Sequence, residues 1–513
     1  MSATLYWLAG DEALRATLEA AIEGSTPGAV IAETPRRRVV QLHASEASHP
    51  LVLKHFRARP ATSAGVTSRA SWKRALGRSA AAREWRALDA LAAQDLPAPT
   101  PRAHARRGDE EWVAMDFVSH RPLADALRTA SAADRRELVD GLGLILRRLR
   151  IAGIAHGDLH HGNVLLSDDG EPVLVDWQRA RLTRALRAHA RDLASLEFSL
   201  ARLGLSRTDR LRLRRAALGG AATRATLLAA GERVEAFAHD HYRGRTRRSR
   251  SDGGGQLRVD PVLGPGMRAR DFSNDAVREA CAAHTAALEA GAANVLKDDA
   301  RARVTRLRAG GRALIAKEVT KAGLGRRLAD PLRGSPAERG WVGGHGLLAR
   351  GLGVARPLAW LARGGSRGGS ILLLADVAER GCLEAAAPAA IDSDGLLRLL
   401  LGLHRRGVDH GDLQASHVYG LATGTPVLID LEGVRFRRRL DDDARLRALA
   451  ELNASLPEAA LPATERCELF RRYAAALPFA MPRERALREL VRRSLARQHA
   501  WGGRDCELSS GSR

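Results

Sequence analysis

Aromatic side chains make up only 4% of this 513-residue chain. Its cores must be built mostly from Leu, Val and Ala, and a hydrophobic content of 45% supplies enough of them. Cysteine is nearly absent: Cys281, Cys382, Cys467 and Cys506 stand far apart, with no pair spaced for a metal or a redox couple. That excludes a disulfide framework and suits a cytosolic protein. Long apolar runs are missing too. The longest, such as ILLLADVA at 371–378, fall far short of the ~20 residues a spanning helix needs. The first residues, MSATLYWLAGDEALRATLEAA, meet acidic side chains at once, so no signal peptide is expected and any membrane role is peripheral.

What is present is basic charge. Lys and Arg number 82 against 59 Asp and Glu, a formal net charge of +23. A solvated Arg-rich surface accounts for this, and so does attraction to anionic lipid headgroups, nucleotides or nucleic acid. Nucleic acid is the weaker of these partners, because the run RGRTRRSRS at 243–251 carries no interleaved aromatics for base stacking. The longer stretch RGRTRRSRSDGGGQLRVDPVLGPG reads as a linker. It predicts one domain over residues 1–242, a basic Gly/Pro/Ser-rich linker over 243–270 and a second domain over 271–513.

The halves match in order. Short β-like runs (GAVIAET, RRVVQLHA, LVLKHF; then ANVLKDD, RARVTRLRA, ALIAKEV) lead into helical segments (AAREWRALDALAAQ; SPAERGWVGGHGLLAR). A further strand and helix follow, EWVAMDFV and DRRELVDGLGLILRRLRIAG in the first half, SILLLADV and SDGLLRLLLGLHRRG in the second. Each half then reaches His-Gly-Asp-Leu. Glu84, Asp158 and Asp176 each lie 254 residues before Glu338, Asp412 and Asp430. A repeat of this length predicts two copies of a whole domain.

In the first copy Asp158 is followed by Asn163, and the strand PVLV then returns Asp176. Oxygen ligands converging in this way suit a hard divalent cation bound to phosphates. They also leave Asp158 free to accept a hydroxyl proton. Phosphoryl transfer further needs a strand Lys on the phosphates, held by a Glu on the next helix. Lys54 and Glu84 supply these in the first half, Lys317 and Glu338 in the second. HGDLHH also has the look of a binuclear metal centre, but no further His/Asp/Asn blocks follow in suitable order. His160 and His161 are therefore read as loop or acceptor-site residues, and Trp85, Trp112 and Trp341 as packing or surface residues.

Strand Lys, helix Glu, H-G-D-x-x-x-x-N and a later Asp together resemble the protein-kinase-like fold. HGDLHHGNVLL and VDWQRARL, with LIAKEVTKAGLGRR, HGDLQASHV and LIDLEGVRF, resemble the bacterial lipopolysaccharide kinases that phosphorylate heptose or 3-deoxy-manno-octulosonic acid. Aminoglycoside phosphotransferases and choline-kinase-like enzymes share similar motifs. The resemblance implies an α+β chain of two tandem protein-kinase-like bilobal domains, each with a small β-rich lobe and a helical lobe. It implies ATP and Mg2+ as cofactors, Asp158 and Asp412 as catalytic residues, and Lys54–Glu84 and Lys317–Glu338 as nucleotide-holding pairs. Asn163, Asp176, His417 and Asp430 would hold the metal. The implied partner is a lipopolysaccharide-core sugar or another small hydroxyl acceptor, met in the cytoplasm at an anionic inner membrane face. A small-molecule phosphotransferase, a protein Ser/Thr kinase and a non-catalytic tandem pseudokinase scaffold are the alternatives.

Several residues depart from the protein-kinase pattern. No G-x-G-x-x-G is present, and GSTPGAV and RLRAGGRAL stand as substitutes. His160 and Gln414 occupy the place of the Lys after the catalytic Asp, and no APE motif follows. His417 stands where Asn163 stands, and Ala448 where Asp192 is expected to brace the catalytic loop. These changes point to the first copy as catalytic and the second as weakened, regulatory or acceptor-binding.

Overall fold

In the computed structural model the described residues are 4–25, 28–43, 50–57, 77–253, 255–300, 302–320, 334–363, 369–385, 391–421 and 424–497. Cys506, the KAGLGRR stretch at 321–327, and Thr26 and Pro27 of GSTPGAV lie outside them. The chain divides into two compact units, Met1–Ala238 and His239–Arg513. Each mixes antiparallel sheet with helices.

The first unit opens with β1 (Leu5–Gly10), α1 (Arg15–Ile22), β2 (Gly28–Thr34), β3 (Arg37–Leu42), β4 (Leu51–Phe56), α2 (Ala80–Ala92), β5 (Pro101–Arg107) and β6 (Glu110–Asp116). The strands form one sheet in the order β1-β5-β6-β4-β3-β2. Helix α2 starts at Ser79, whose hydroxyl accepts the Ala82 N–H at 3.0 Å, a standard N-cap. Its buried stripe of Ala81, Glu84, Ala87, Leu88 and Leu91 follows helical spacing. Leu88 and Leu91 each contribute roughly 1.5–3 kcal/mol by burial. Glu84 sits in that apolar stripe, so something must compensate its charge.

The rest of the first unit is mainly helical. It comprises β7 (His120–Pro122), α3 (Leu123–Thr129), α4 (Ala132–Ala152), β8 (Ile154–Ala155), β9 (Val164–Ser167), β10 (Pro172–Leu174), β11 (Arg181–Leu182), α5 (Leu186–Arg202), α6 (Arg207–Leu218) and the first part of α7 (Arg224–Arg248). Helix α4 begins in a Ser131–Asp134 capping box and ends at Gly153, φ 71°. It packs closely on α6: a Cβ on Gly143 would lie 2.4 Å from the Ala216 Cβ.

The second unit contains β12 (Gln256–Arg258), β13 (Gly266–Ala269), α8 (Asn274–Glu289), β14 (Val295–Asp298), β15 (Ala302–Ala309), β16 (Arg312–Thr320), α9 (Pro336–Ala349), β17 (Gly353–Val354), β18 (Pro357–Arg363) and β19 (Gly369–Ala375). Its sheet runs β12-β13-β18-β19-β16-β15-β14, the strand order of the first sheet with β12 added. Then come α10 (Ser393–Arg405), β20 (Val408–Asp409), β21 (Val418–Tyr419), β22 (Val427–Leu428), β23 (Arg435–Phe436), α11 (Asp442–Ser455), α12 (Ala463–Ala476) and α13 (Arg483–Leu495). Their core gathers Leu396, Leu400, Leu449, Leu452, Phe470 and Tyr473.

The stretch expected to be a linker, 243–270, carries defined structure. Residues 243–248 are the last turns of α7, and β12 and β13 join the second sheet. Ser249 is buried, and its carbonyl accepts the Trp341 indole N–H at 2.8 Å. Arg350 stacks over Tyr242 and Phe436. The Arg/Ser composition concealed these buried contacts.

Candidate active site

Two devices bring the first unit's candidate residues together. Strand β8 pairs with β11, and β9 pairs with β10. The loop 156–163 and Asp176 are thereby held against one another: Val175 N–H donates to the Asn163 carbonyl at 3.0 Å. Asn163 Nδ2 in turn donates to the Asp158 carbonyl at 2.9 Å, which leaves its Oδ1 turned to other work. Gly157 is required where it stands. Its φ is +79°, and a Cβ there would lie 2.4 Å from the Arg179 carbonyl.

Lys54 lies on β4 opposite Val39 and Val113. Its ammonium donates to Glu84 Oε1 at 2.5 Å and lies 3.6 Å from Asp176 Oδ1. The pairing compensates Glu84, although Glu84 Oε2 is buried without a hydrogen-bond partner among the described residues. Asp176 has φ +69°, a conformation that costs a non-glycine residue of order 1–3 kcal/mol and clusters at functional sites. Its other neighbours are Arg37, whose Nη1 donates at 2.7 Å, and Gln178. Burial raises the Asp176 pKa, but Lys54 and Arg37 outweigh it and hold the carboxyl below its ordinary value. Asp158 is half-buried and lies 3.3 Å from Arg179.

Side chains of α5 hold the loop. Asp192 on α5 accepts the His156 N–H at 2.7 Å and the Gly157 N–H at 2.9 Å, as its place in the sequence suggested. Burial pushes its carboxyl up to about 6 against those two donors. Ser199 accepts the His161 N–H at 2.9 Å. His156 is fully buried against Trp177, and its Nε2–H donates to the Val175 carbonyl at 3.0 Å. Burial lowers its pKa to about 4, so it is neutral. His160 caps the turn at 161–163 by accepting the Gly162 N–H.

The second unit assembles its residues differently. Lys317 on β16 donates to Asp430 and, at 3.0 Å, to Glu432. Glu338, the expected partner, instead lies 3.6 Å from Arg250. Counting 254 residues along the chain misplaced it. Glu84 is the fifth residue of α2, whereas Glu338 is the third of α9. Two residues on a helix turn the side chain by about 200°. The residue aligned with Glu84 is Gly340, as Trp85 and Trp341 also indicate. A Cβ on Gly340 would lie 3.5 Å from the Glu432 side chain. Burial, with Asp430 beside it, raises the Glu432 carboxyl to about 7. Asp430 itself is held well below the usual range in spite of its burial.

His417 keeps one half of what Asn163 does. Its Nδ1–H donates to the Asp412 carbonyl at 2.9 Å, as Asn163 Nδ2 does to Asp158. That bond fixes Nε2 as the lone-pair nitrogen, 3.9 Å from Asp430 Oδ2. Ligand atoms of Asp412, His417 and Asp430 all fall within 4.8 Å of one another. Two carboxylates and an imidazole suit Mn2+ or Zn2+ better than Mg2+. The brace differs as well. Ser455 accepts the Ala415 N–H at 2.8 Å, as Ser199 accepts that of His161. This sets Ala448 at the place of Asp192, and Glu451 accepts the Leu413 N–H instead.

Neither substitute for a glycine loop lies near its strand Lys. Gly310 and Gly311 turn β15 into β16 at the end opposite Lys317, and Gly28 begins β2 at the end opposite Lys54. The residues at the Lys54 end are Thr34–Arg37. Arg37 and Glu432 were missed from sequence, and the left-handed backbone of Asp176 and Asp430, both expected as metal-holding residues, was not foreseen. The Arg triplet 36–38 beside Pro35 was the available signal for the first.

The model of the lipopolysaccharide kinase (Kdo/WaaP) family matches residues 24–216 of this chain. The match takes in Lys54, Glu84, Asp158, Asn163, Asp176 and Asp192, and no residue of the second unit. Among individual proteins, the 3-deoxy-D-manno-octulosonic acid kinases of Xanthomonas campestris pv. campestris strains B100 and 8004 are each 34% identical over 143 residues. The alignment covers 27% of this chain and 56% of each kinase, so the chain spans about half the length of these curated relatives.

Proposed function

We propose that the first unit is an ATP- and Mg2+-dependent kinase that phosphorylates a hydroxyl of a lipopolysaccharide-core sugar, a 3-deoxy-manno-octulosonic acid or heptose residue. The observation that carries this is the position of the Lys54 ammonium between Glu84 and Asp176, beside a loop in which Asn163 is bonded to Asp158. The oxygen donors Asn163 and Asp176 fit a hard divalent cation. Bound Mg-ATP supplies the γ-phosphoryl group, with the cation offsetting phosphate charge. Lys54, oriented by Glu84, holds the α/β-phosphates. Asp158 orients the acceptor hydroxyl and takes its proton as the new O–P bond forms and the bond from the γ-phosphorus to the β,γ-bridging oxygen breaks, releasing ADP.

Each unit is read as a two-lobed kinase-like domain, the second derived from the first by duplication. The shared strand order supports this. The second unit is read as weakened or regulatory, since Gly340 and Ala448 stand where the first has Glu84 and Asp192. The net charge of +23 supports peripheral work at an anionic membrane.

The test is incubation of the full chain with Mg2+ and ATP labelled at the γ position, with a lipopolysaccharide core lacking the sugar phosphate. Label in the core sugar is expected. Label only in an aminoglycoside or a protein offered in its place would move the function to those acceptors.

A further inference from the structure

Phosphates at a kinase-like hairpin are ordinarily held by the free N–H groups of a glycine-rich turn. The turn at the Lys54 end of this sheet is Thr34-Pro35-Arg36-Arg37, and past Thr34 every N–H is missing or already engaged. Pro35 lacks an N–H. Those of Arg36 and Arg37 donate to Thr34 Oγ1 at 3.4 and 3.0 Å, and the same hydroxyl donates to the Arg37 carbonyl at 3.2 Å. The tip is closed by its own threonine. An anion here is met more readily by side chains than by the tip amides.

Three arginines are available, and strand alternation separates them. Arg36 and Arg38 are exposed, whereas Arg37 turns inward. Its guanidinium reaches Asp176 Oδ1 at 2.7 Å, the oxygen that Lys54 also approaches at 3.6 Å. Two cations thus share one carboxylate. A divalent cation drawn to Asp176 would displace both, and both would then face the phosphates that accompany it. Guanidinium offers a planar fork of donors matched to phosphate oxygens.

We propose that Arg37 is a phosphate-binding residue for the nucleoside triphosphate, doing with a side chain what turn amides do in a glycine loop, and held by Asp176 until nucleotide and cation arrive. This rests on the kinase reading of the first unit.

The test is binding of Mg-ATP and of adenosine to the full chain in a Lys317→Ala background, which confines the readout to the first unit. Wild-type Arg37, Arg37→Ala and Arg37→Lys are compared, with urea unfolding as the check that each is folded. Arg37→Ala should weaken Mg-ATP by about tenfold to a hundredfold, the range for a hydrogen bond to a charged group. It should leave adenosine unchanged, and Arg37→Lys should recover part of the loss. Equal or tighter Mg-ATP binding by Arg37→Ala would overturn the proposal, for Arg37 would then only neutralise Asp176. Failure of the Lys317→Ala protein itself to bind Mg-ATP would overturn the kinase reading and this inference with it.

Discussion

At the scale of single residues, the site is an arrangement of charges that would be costly if left unpaired. Glu84 is wholly buried and has Lys54 as its cation. Lys54→Met should therefore cost about 3 kcal/mol of stability, the typical effect of breaking a buried pair from one side. Lys54→Met with Glu84→Leu should recover most of it. Urea unfolding of the two proteins checks this, and equal midpoints would contradict it. His417 stands in the second unit where Asn163 stands in the first, bonded to the matching carbonyl. It retains the donor to the Asp412 carbonyl and puts a ring nitrogen where Asn163 has an amide oxygen. His417→Asn should reverse the cation preference of the second unit from Mn2+ toward Mg2+, read as thermal stabilisation by each ion with Asp176→Ala silencing the first unit. An unchanged preference would remove Nε2 from the ligand set.

At the scale of elements, the loop 156–163 is tied to α5 by Asp192. Its carboxyl is raised from 3.8 to about 6 by burial, while neighbouring His156 is lowered from 6.5 to about 4. Their effects on stability have opposite signs. The Asp192 contribution is complete at low pH and is lost as pH rises through about 6. The His156 contribution is complete above its ordinary value and is lost as pH falls toward about 4. Together they nearly cancel between those limits. Asp192→Asn removes one, so stability should then fall on acidification over this interval by about 1.4 kcal/mol per pH unit relative to wild type. Parallel urea midpoints for both proteins across the interval would contradict the assignment.

Elements were also what the sequence showed best. The strands holding Lys54 and Lys317, the helices holding Glu84 and Trp341, and the His-Gly-Asp loops all follow from periodicity and turn residues. Two features escaped for physical reasons. A count along the chain ignores where a helix begins, so Glu338 was put on the wrong face and Gly340 was passed over. An Arg/Ser-rich run reads as solvent-facing, yet Thr246 and Ser249 are buried and Arg350 stacks on Tyr242. Arg37 was hidden because its partner, Asp176, lies 139 residues away, beyond any local pattern.

At the scale of the whole molecule, no helix among the described residues is long and apolar enough to cross a membrane, and the net charge is +23. The membrane contact proposed above is peripheral and charge-driven. The protein should sediment with vesicles of anionic lipid and be released as the Debye length falls from about 10 Å at 0.1 M salt toward about 3 Å at 1 M. Binding to neutral vesicles that salt leaves unchanged would contradict it. The central claim is that phosphoryl transfer belongs to the first unit. Its most direct measurement is acceptor-dependent Mg-ATP turnover of wild type, Asp158→Ala and Asp412→Ala, side by side. The account predicts that Asp158→Ala loses about a hundredfold or more, the usual weight of a positioned proton acceptor, and that Asp412→Ala keeps most of its rate. Turnover lost in Asp412→Ala and kept in Asp158→Ala would contradict it.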